Sequence, residues 1–148
     1  MYKILSLDGG GSWSILQLLT LKEKYGNVSG HEILKDFDLV LANSGGSIVL
    51  AALAENYTIQ GAIDVFSQKE KRNKIFSKNR YKEKFIPVSF FGGKFGPKYS
   101  TKRKKEAFDS LFNTVLKIPM EMLPDHIGKP SLRISIATFD ALNNRARF

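Results

Sequence analysis

The chain has 148 residues and a formal net charge of +9, from 23 basic and 14 acidic residues. It contains no cysteine, which excludes disulfides and thiolate-bound metals, and no run of about 18 apolar residues that could span a membrane. We therefore expect one globular domain in the cytoplasm, with a charge that favours an anionic partner such as nucleic acid, a lipid headgroup or a phosphorylated substrate.

The first predicted strand, Lys3–Leu7, is a short apolar run that leads into the glycine-rich segment Asp8–Gly11. Apolar side chains at helical spacing in Ser12–Lys24 predict a helix after it, with Ser12 as a candidate cap. Glycines let the backbone approach a ligand closely, and a helix N-terminus adds partial positive charge. The segment could therefore hold a phosphate or a developing oxyanion, or it could be only a tight turn.

The second predicted strand, Phe37–Leu41, leads into the segment Ala42-Asn43-Ser44-Gly45-Gly46. This segment has the small-x-Ser-x-Gly form of a nucleophile elbow, in which small neighbours permit a sharp turn that projects the serine from the strand end. A predicted helix, Ile48–Glu55, follows. The alternative is that Ser44 and Ser47 merely cap this helix. Both glycine-rich segments follow predicted strands, at the edge where open α/β sheets bind ligands.

The rest of the chain continues the alternation of helices and strands. The further predicted elements are a helix from Thr58 to Lys69, an aromatic loop at Phe90–Pro97, an amphipathic helix at Thr101–Lys117 and a third strand at Leu132–Ala137. Strands separated by helices predict an α/β fold with a mainly parallel sheet. We expect His31 and His126 to lie in surface loops, without a catalytic role.

Eight basic residues fall within sixteen positions in the middle of the chain. They are Lys69, Lys71, Arg72, Lys74, Lys78, Arg80, Lys82 and Lys84, with Phe76, Tyr81 and Phe85 among them. This pattern is typical of a surface that binds anionic membrane or nucleic acid, although a solvated helix face can look the same. A basic, non-enzymatic binding module is therefore one alternative function.

The two glycine-rich segments together resemble the opening of the patatin-like phospholipase family. That family begins with a strand, an Asp-Gly-Gly-Gly loop, a helix, a Phe-Asp strand and a Gly-x-Ser-x-Gly elbow. A weaker likeness continues in Lys74–Phe76, Pro97–Ser100 and Leu132–Asp140. The resemblance implies a three-layer α/β/α fold and a lipid-degrading acyl hydrolase, acting on phospholipid or other acyl esters through a Ser–Asp dyad without cofactor or metal. Carried over to this chain, it makes Ser44 the nucleophile and Gly9, Gly10 and Gly11 the oxyanion hole.

The chain departs from the family pattern at three places. Trp13-Ser14 stands where the family has a basic residue followed by glycine, and Ala42 replaces the first glycine of the elbow. The family's dyad Asp belongs to a later Asp-Gly motif, whereas the only Asp-Gly here is Asp8-Gly9. We therefore expect residues 1–148 to be the N-terminal part of one patatin-like domain, inactive alone and either self-associating or paired with the remaining C-terminal polypeptide. Asp140 is the best internal candidate for the base.

A second alternative is an actin-like sugar kinase. Such kinases hold the phosphates of ATP with a similar Asp-Gly-Gly-Gly-Ser run, which is followed by a β-hairpin. The helical pattern of Ser12–Lys24 disfavours this interpretation, and it would leave the serine elbow unexplained.

Overall fold

A parallel three-stranded sheet organises the fold. The computed structural model describes residues 1–76, 101–140 and 142–147. The sheet has the order β1-β2-β3, with β1 at Ile4–Leu7, β2 at Leu39–Ala42 and β3 at Arg133–Ile136. Leu7 pairs with Ala42, and Ala42 pairs with Ile136, so the three carboxyl ends meet at one edge. The predicted α/β fold with a parallel sheet is confirmed, while Phe90–Pro97 lies outside the described residues.

Helices connect and cover the strands. In the described part of the chain the α-helices are α1 (Ile15–Tyr25), α2 (Gly30–Lys35), α3 (Ser44–Ala54), α4 (Ile59–Ser67), α5 (Lys69–Phe76), α6 (Thr101–Leu111) and α7 (Leu123–Ile127). Short 3-10 turns occur at Gly11–Ser14, Val115–Lys117 and Met120–Met122, and β4 (Thr138–Asp140) pairs antiparallel with β5 (Arg145–Arg147). Val40 of β2 and Val49 and Leu53 of α3 are fully buried, so α3 is the helix that the core packs around.

The segment after the glycines begins differently from the prediction. A 3-10 turn at Gly11–Ser14 precedes α1, and no side chain caps either element, so the predicted cap at Ser12 is wrong. The reason is the backbone of Gly10 and Gly11, whose φ values of 155° and 59° turn the chain sharply before the α-helix can start.

The structure also places the two histidines differently from the prediction. His31 lies in α2, which begins at a reciprocal cap between Ser29 and Glu32, and the Ser-x-x-Glu pattern was the sequence signal for it. The rings of His31 and His126 meet edge to face with centroids 5.1 Å apart, and both residues are half-buried. The expectation of surface-loop histidines is therefore wrong; the pair helps to join α7 to α2.

Of the described helices after α3, α4 and α6 were predicted and α5 and α7 were not. Thr58, where the predicted helix begins, caps α4 by accepting a hydrogen bond of 3.1 Å from the Gly61 N–H. Helix α6 ends at Leu111, earlier than expected. The Glu55 carboxylate accepts hydrogen bonds from the backbone N–H groups of Thr114 and Val115, at 2.7 to 3.1 Å, and these bonds tie the segment after α6 to the end of α3.

The Glu55 contact gives a stability prediction. Glu55→Ala should lower the free energy of unfolding by about 1–3 kcal/mol, because two backbone N–H groups lose a charged acceptor. Glu106→Ala, which removes an exposed glutamate of α6, should change it by less than about 0.5 kcal/mol. Urea unfolding of both variants measures the difference, and equal losses would show that the Glu55 contact does not stabilise the fold.

His31 should make stability depend on pH. Burial lowers the pKa of His31 below its ordinary value, and the neighbouring His126 and Lys35 lower it further, against the opposing hydrogen bond to Ala54 O. The unfolded chain, with a histidine pKa of about 6.5, therefore takes up a proton more readily than the folded chain. His31 therefore contributes to the free energy of unfolding above about pH 6.5. This contribution is lost as the pH falls towards the pKa that His31 has in the folded protein.

A variant isolates this contribution. His31→Gln keeps a donor for Ala54 O and removes the titrating ring, so it should lose less stability than the wild type between about pH 7.5 and about pH 5.5. Denaturant midpoints at the two pH values give the comparison. If the two proteins lose the same stability, His31 is not the group responsible.

Candidate active site

Ser44 occupies the sharp turn between β2 and α3. It is exposed, and its φ of 45° lies in the left-handed region that residues with a side chain rarely adopt. Such backbone strain costs about 1–3 kcal/mol and is concentrated at active sites and ligand clamps. The N-cap of α3 is Asn43, and no side-chain hydrogen bond caps the helix. The alternative that Ser44 and Ser47 serve as helix caps is therefore wrong.

The two elbow glycines permit close contact between this turn and the end of β1. A Cβ on Gly46 would overlap the carbonyl group of Leu7 and lie 2.9 Å from Asp8 O. A Cβ on Gly45 would lie 2.6 Å from Gly11 O and 2.9 Å from Gly11 N. Any larger residue at either position would push the elbow away from the glycine segment, since distances under 3.0 Å do not occur for real Cβ atoms.

The glycine segment Asp8–Gly11, called the glycine loop below, lies directly beside Ser44. A Cβ placed on Gly9 would be 3.1 Å from Ser44 Cβ and would overlap the Asn43 side chain. The carbonyl of Asp8 accepts a hydrogen bond of 2.7 Å from Gln17 Nε2, which ties the glycine loop to α1. The structure therefore brings together the two segments that the sequence singled out separately.

The N–H groups of the glycine loop are available to a ligand. Within the described residues, the backbone N–H groups of Gly9, Gly10 and Gly11 donate no hydrogen bond. Ser44 stands at the N-terminus of α3, where the helix dipole adds partial positive charge. Unpaired donors beside a serine hydroxyl are the arrangement that stabilises negative charge on an attacked carbonyl oxygen.

A mostly apolar cavity of about 610 Å³ opens beside Ser44. Ser44, Gly45 and Ser47 line it at the N-terminus of α3. The apolar wall includes Ile75, Phe76, Phe108, Phe112, Val115 and Leu123, and Lys104 also lies on the wall. The volume falls in the range typical of small-ligand sites, about 300–1,000 Å³. The sequence revealed the apolar face of α6 but not that this face would line a cavity.

Within the described residues, no side chain makes a hydrogen bond to Ser44 Oγ. Asp140, the best internal candidate from the sequence, is engaged in the β4–β5 hairpin. It accepts a hydrogen bond of 2.8 Å from Asn143 Nδ2 and pairs with Arg147 at 2.9 Å. The hydrogen bond from the Asn143 side chain is the main cause of the lowered pKa of Asp140. A lowered pKa makes a carboxylate a weaker base, since the best catalytic pKa lies near the working pH.

The basic cluster is only partly described. Lys69, Lys71 and Arg72 lie on α5. The positions from Lys78 to Lys84 fall outside the described residues. Helix α5 packs against the turn that follows the glycine loop, and Phe76 at its end lies 4.0 Å from the Cβ position of Gly11.

Two further properties bear on the site. Among the residues described, no three His, Asp or Glu side chains are grouped as a metal site would require. None of the helices in the same part of the chain has the length and apolar character needed to cross a membrane.

Comparison with known proteins identifies the family. Residues 5–146 match the family model of the patatin-like phospholipases. No curated protein and no solved structure matches the chain. The helix α1 after the glycine loop, where a sugar kinase would have a hairpin, agrees with this match and excludes the kinase alternative. Because the match spans nearly the whole chain, the protein belongs to the patatin-like phospholipase family.

Proposed function

We propose that the protein is a lipid acyl hydrolase in which Ser44 is the nucleophile. The observation that carries the proposal is the strained backbone of Ser44, φ 45°, held beside the free N–H groups of the glycine loop. Membership of the patatin-like family suggests the same class of reaction. The exposed hydroxyl at the strand end is the position from which a serine can reach an ester carbonyl.

The reaction has two steps. Ser44 Oγ attacks the ester carbonyl as a base takes its proton, and the negative charge on the carbonyl oxygen is stabilised by the N–H groups of Gly9, Gly10 and Gly11. The bond to the alcohol then breaks, the alcohol takes up the proton, and an acyl ester of Ser44 remains. Water, deprotonated by the same base, adds to this ester and releases the fatty acid and the free serine.

The cavity beside Ser44 supports a lipid substrate. Its apolar wall, formed by α3, α5 and α6 and the turns after α6, suits a hydrocarbon chain, because burying apolar area contributes about 25 cal/mol per Å². The polar end at Ser44 and Ser47 would hold the ester group. We propose that the acyl chain occupies this cavity while the alcohol part, the headgroup side, leaves towards solvent.

The base is the Asp of a Ser–Asp dyad in this proposal. Since Ser44 Oγ has no partner among the described residues, activity requires a carboxylate that approaches it. The expectation that residues 1–148 need additional polypeptide to supply this Asp stays a prediction, as does the oligomeric or paired state of the chain.

The basic cluster supports an anionic membrane surface as the place of action. Lys69, Lys71 and Arg72 precede the end of α5, which borders the cavity through Ile75 and Phe76. Each basic residue near an anionic surface contributes about 1 kcal/mol at low salt. Nucleic acid remains the competing partner for the same charges, but the apolar cavity favours lipid.

Ser44 should react with a fluorophosphonate probe. Labelling of the wild type should be lost in Ser44→Ala and kept in Ser47→Ala, a matched change on the first turn of the same helix and the same cavity wall. Mass spectrometry of the labelled peptide locates the adduct. Unchanged labelling of Ser44→Ala, or an adduct on Ser47, would contradict the assignment.

Residues 1–148 alone should show little or no turnover of a p-nitrophenyl ester, because the hydroxyl of a serine without a base is a weak nucleophile. Turnover that disappears in Ser44→Ala would overturn this expectation. In that case Asp140→Asn tests the best internal candidate, and loss of the turnover in this variant would assign Asp140 as the base.

A further inference from the structure

Three large apolar side chains lie exposed along the 3-10 turn Gly11–Ser14 and the first half of α1. Trp13, Leu16 and Leu19 follow one another at intervals of three residues and are 73%, 55% and 45% exposed. The opposite side of the helix is in the core, where Leu18 and Leu21 are buried. Helix α1 is therefore apolar on both sides at its N-terminal end. We call the three exposed side chains the α1 apolar face.

The α1 apolar face begins at the glycine loop. The Trp13 N–H donates a hydrogen bond of 3.1 Å to Gly10 O, and Trp13 Cβ lies 3.7 Å from the Cβ position of Gly10. Anything that binds Trp13 is therefore next to the loop that borders Ser44. The residue is also one of the places where the chain departs from the family pattern, which has a basic residue there.

A helix rich in basic residues contacts the same turn. Helix α5 contains the basic residues Lys69, Lys71 and Arg72 and the acidic residue Glu70, and it packs on the turn Gly11–Ser14. Exposed tryptophan and leucine on one element, with a basic helix packed on the same turn, are typical of a surface that binds an anionic bilayer. The rings lie at headgroup level, and the cations attract the lipid charge.

We propose that the α1 apolar face inserts into the headgroup region of an anionic membrane and so brings the glycine loop and Ser44 to the lipid surface. The proposal rests on the proposed function only for the choice of lipid as the partner. A second copy of this chain or another protein segment would be the competing occupant of the face.

Trp13 is the only tryptophan of the chain, so its fluorescence reports directly on the face. The Ser44→Ala protein is mixed with phosphatidylcholine vesicles that contain about a quarter phosphatidylserine. We expect a blue shift of the emission and quenching by brominated acyl chains, both weakened by high salt because the attraction to anionic lipid is screened. Vesicles of phosphatidylcholine alone should give a much smaller shift.

Two leucine variants test the contribution of the face. The double variant Leu16→Ser, Leu19→Ser should bind the anionic vesicles at least about tenfold more weakly. The two serines lack the apolar area whose removal from water would favour binding. Leu142→Ser, at a leucine that is 96% exposed in the turn between β4 and β5, should bind as tightly as the parent. Circular dichroism checks that the variants are folded.

Three results would overturn the proposal. They are an unchanged Trp13 emission on vesicles that sediment with the protein, equal binding of the double variant, and a blue shift that grows with protein concentration without vesicles. The last would place a second copy on the face. Fluorophosphonate labelling of the wild type is independent of all three, so a failure of the proposed function and a failure of membrane insertion are distinguishable.

Discussion

The close approach of the end of β1 to the start of α3 determines the geometry of the site. The Asn43 N–H donates to Leu7 O at 3.1 Å, and Gly46 leaves no room for a Cβ against the same carbonyl group. These contacts hold the end of β1 against the start of α3, as the parallel register of β1 and β2 requires. The left-handed backbone of Ser44 and the position of the glycine loop both follow from this approach.

The apolar packing around α3 supports that approach. The helix is buried along most of its length, and its fully buried Val49 and Leu53 fix it against the rest of the fold. Packing of this kind can maintain the strain of about 1–3 kcal/mol at Ser44, because a strained residue persists only where its surroundings over-determine it. The hydrogen bonds to Glu55 at the other end of α3 then place the segment that closes the cavity after α6.

Local patterns predicted most of the framework. The apolar runs indicated the three strands of the parallel sheet within about two residues, and the small residues around Ser44 indicated the sharp turn, because these features depend on near neighbours in the chain. The cap at Ser12 was wrong because the positive φ of Gly11 is a property of the folded loop, and α2 was missed although Ser29 and Glu32 form its capping box. The cavity could not be predicted, since it depends on contacts between segments distant in sequence. The ion pairs of Asp140 with Arg145 and Arg147 are local, but they form within the β4–β5 hairpin, which was not predicted.

We propose that the glycine loop stabilises the oxyanion formed on attack by Ser44. A crystal structure of the phosphonate adduct of Ser44 tests it most directly, because the phosphonyl oxygen occupies the place of that oxyanion. We expect this oxygen within about 2.7–3.1 Å of at least two backbone N–H groups among Gly9, Gly10 and Gly11. An adduct on Ser44 whose oxygen points to solvent, away from the glycine loop, would contradict it.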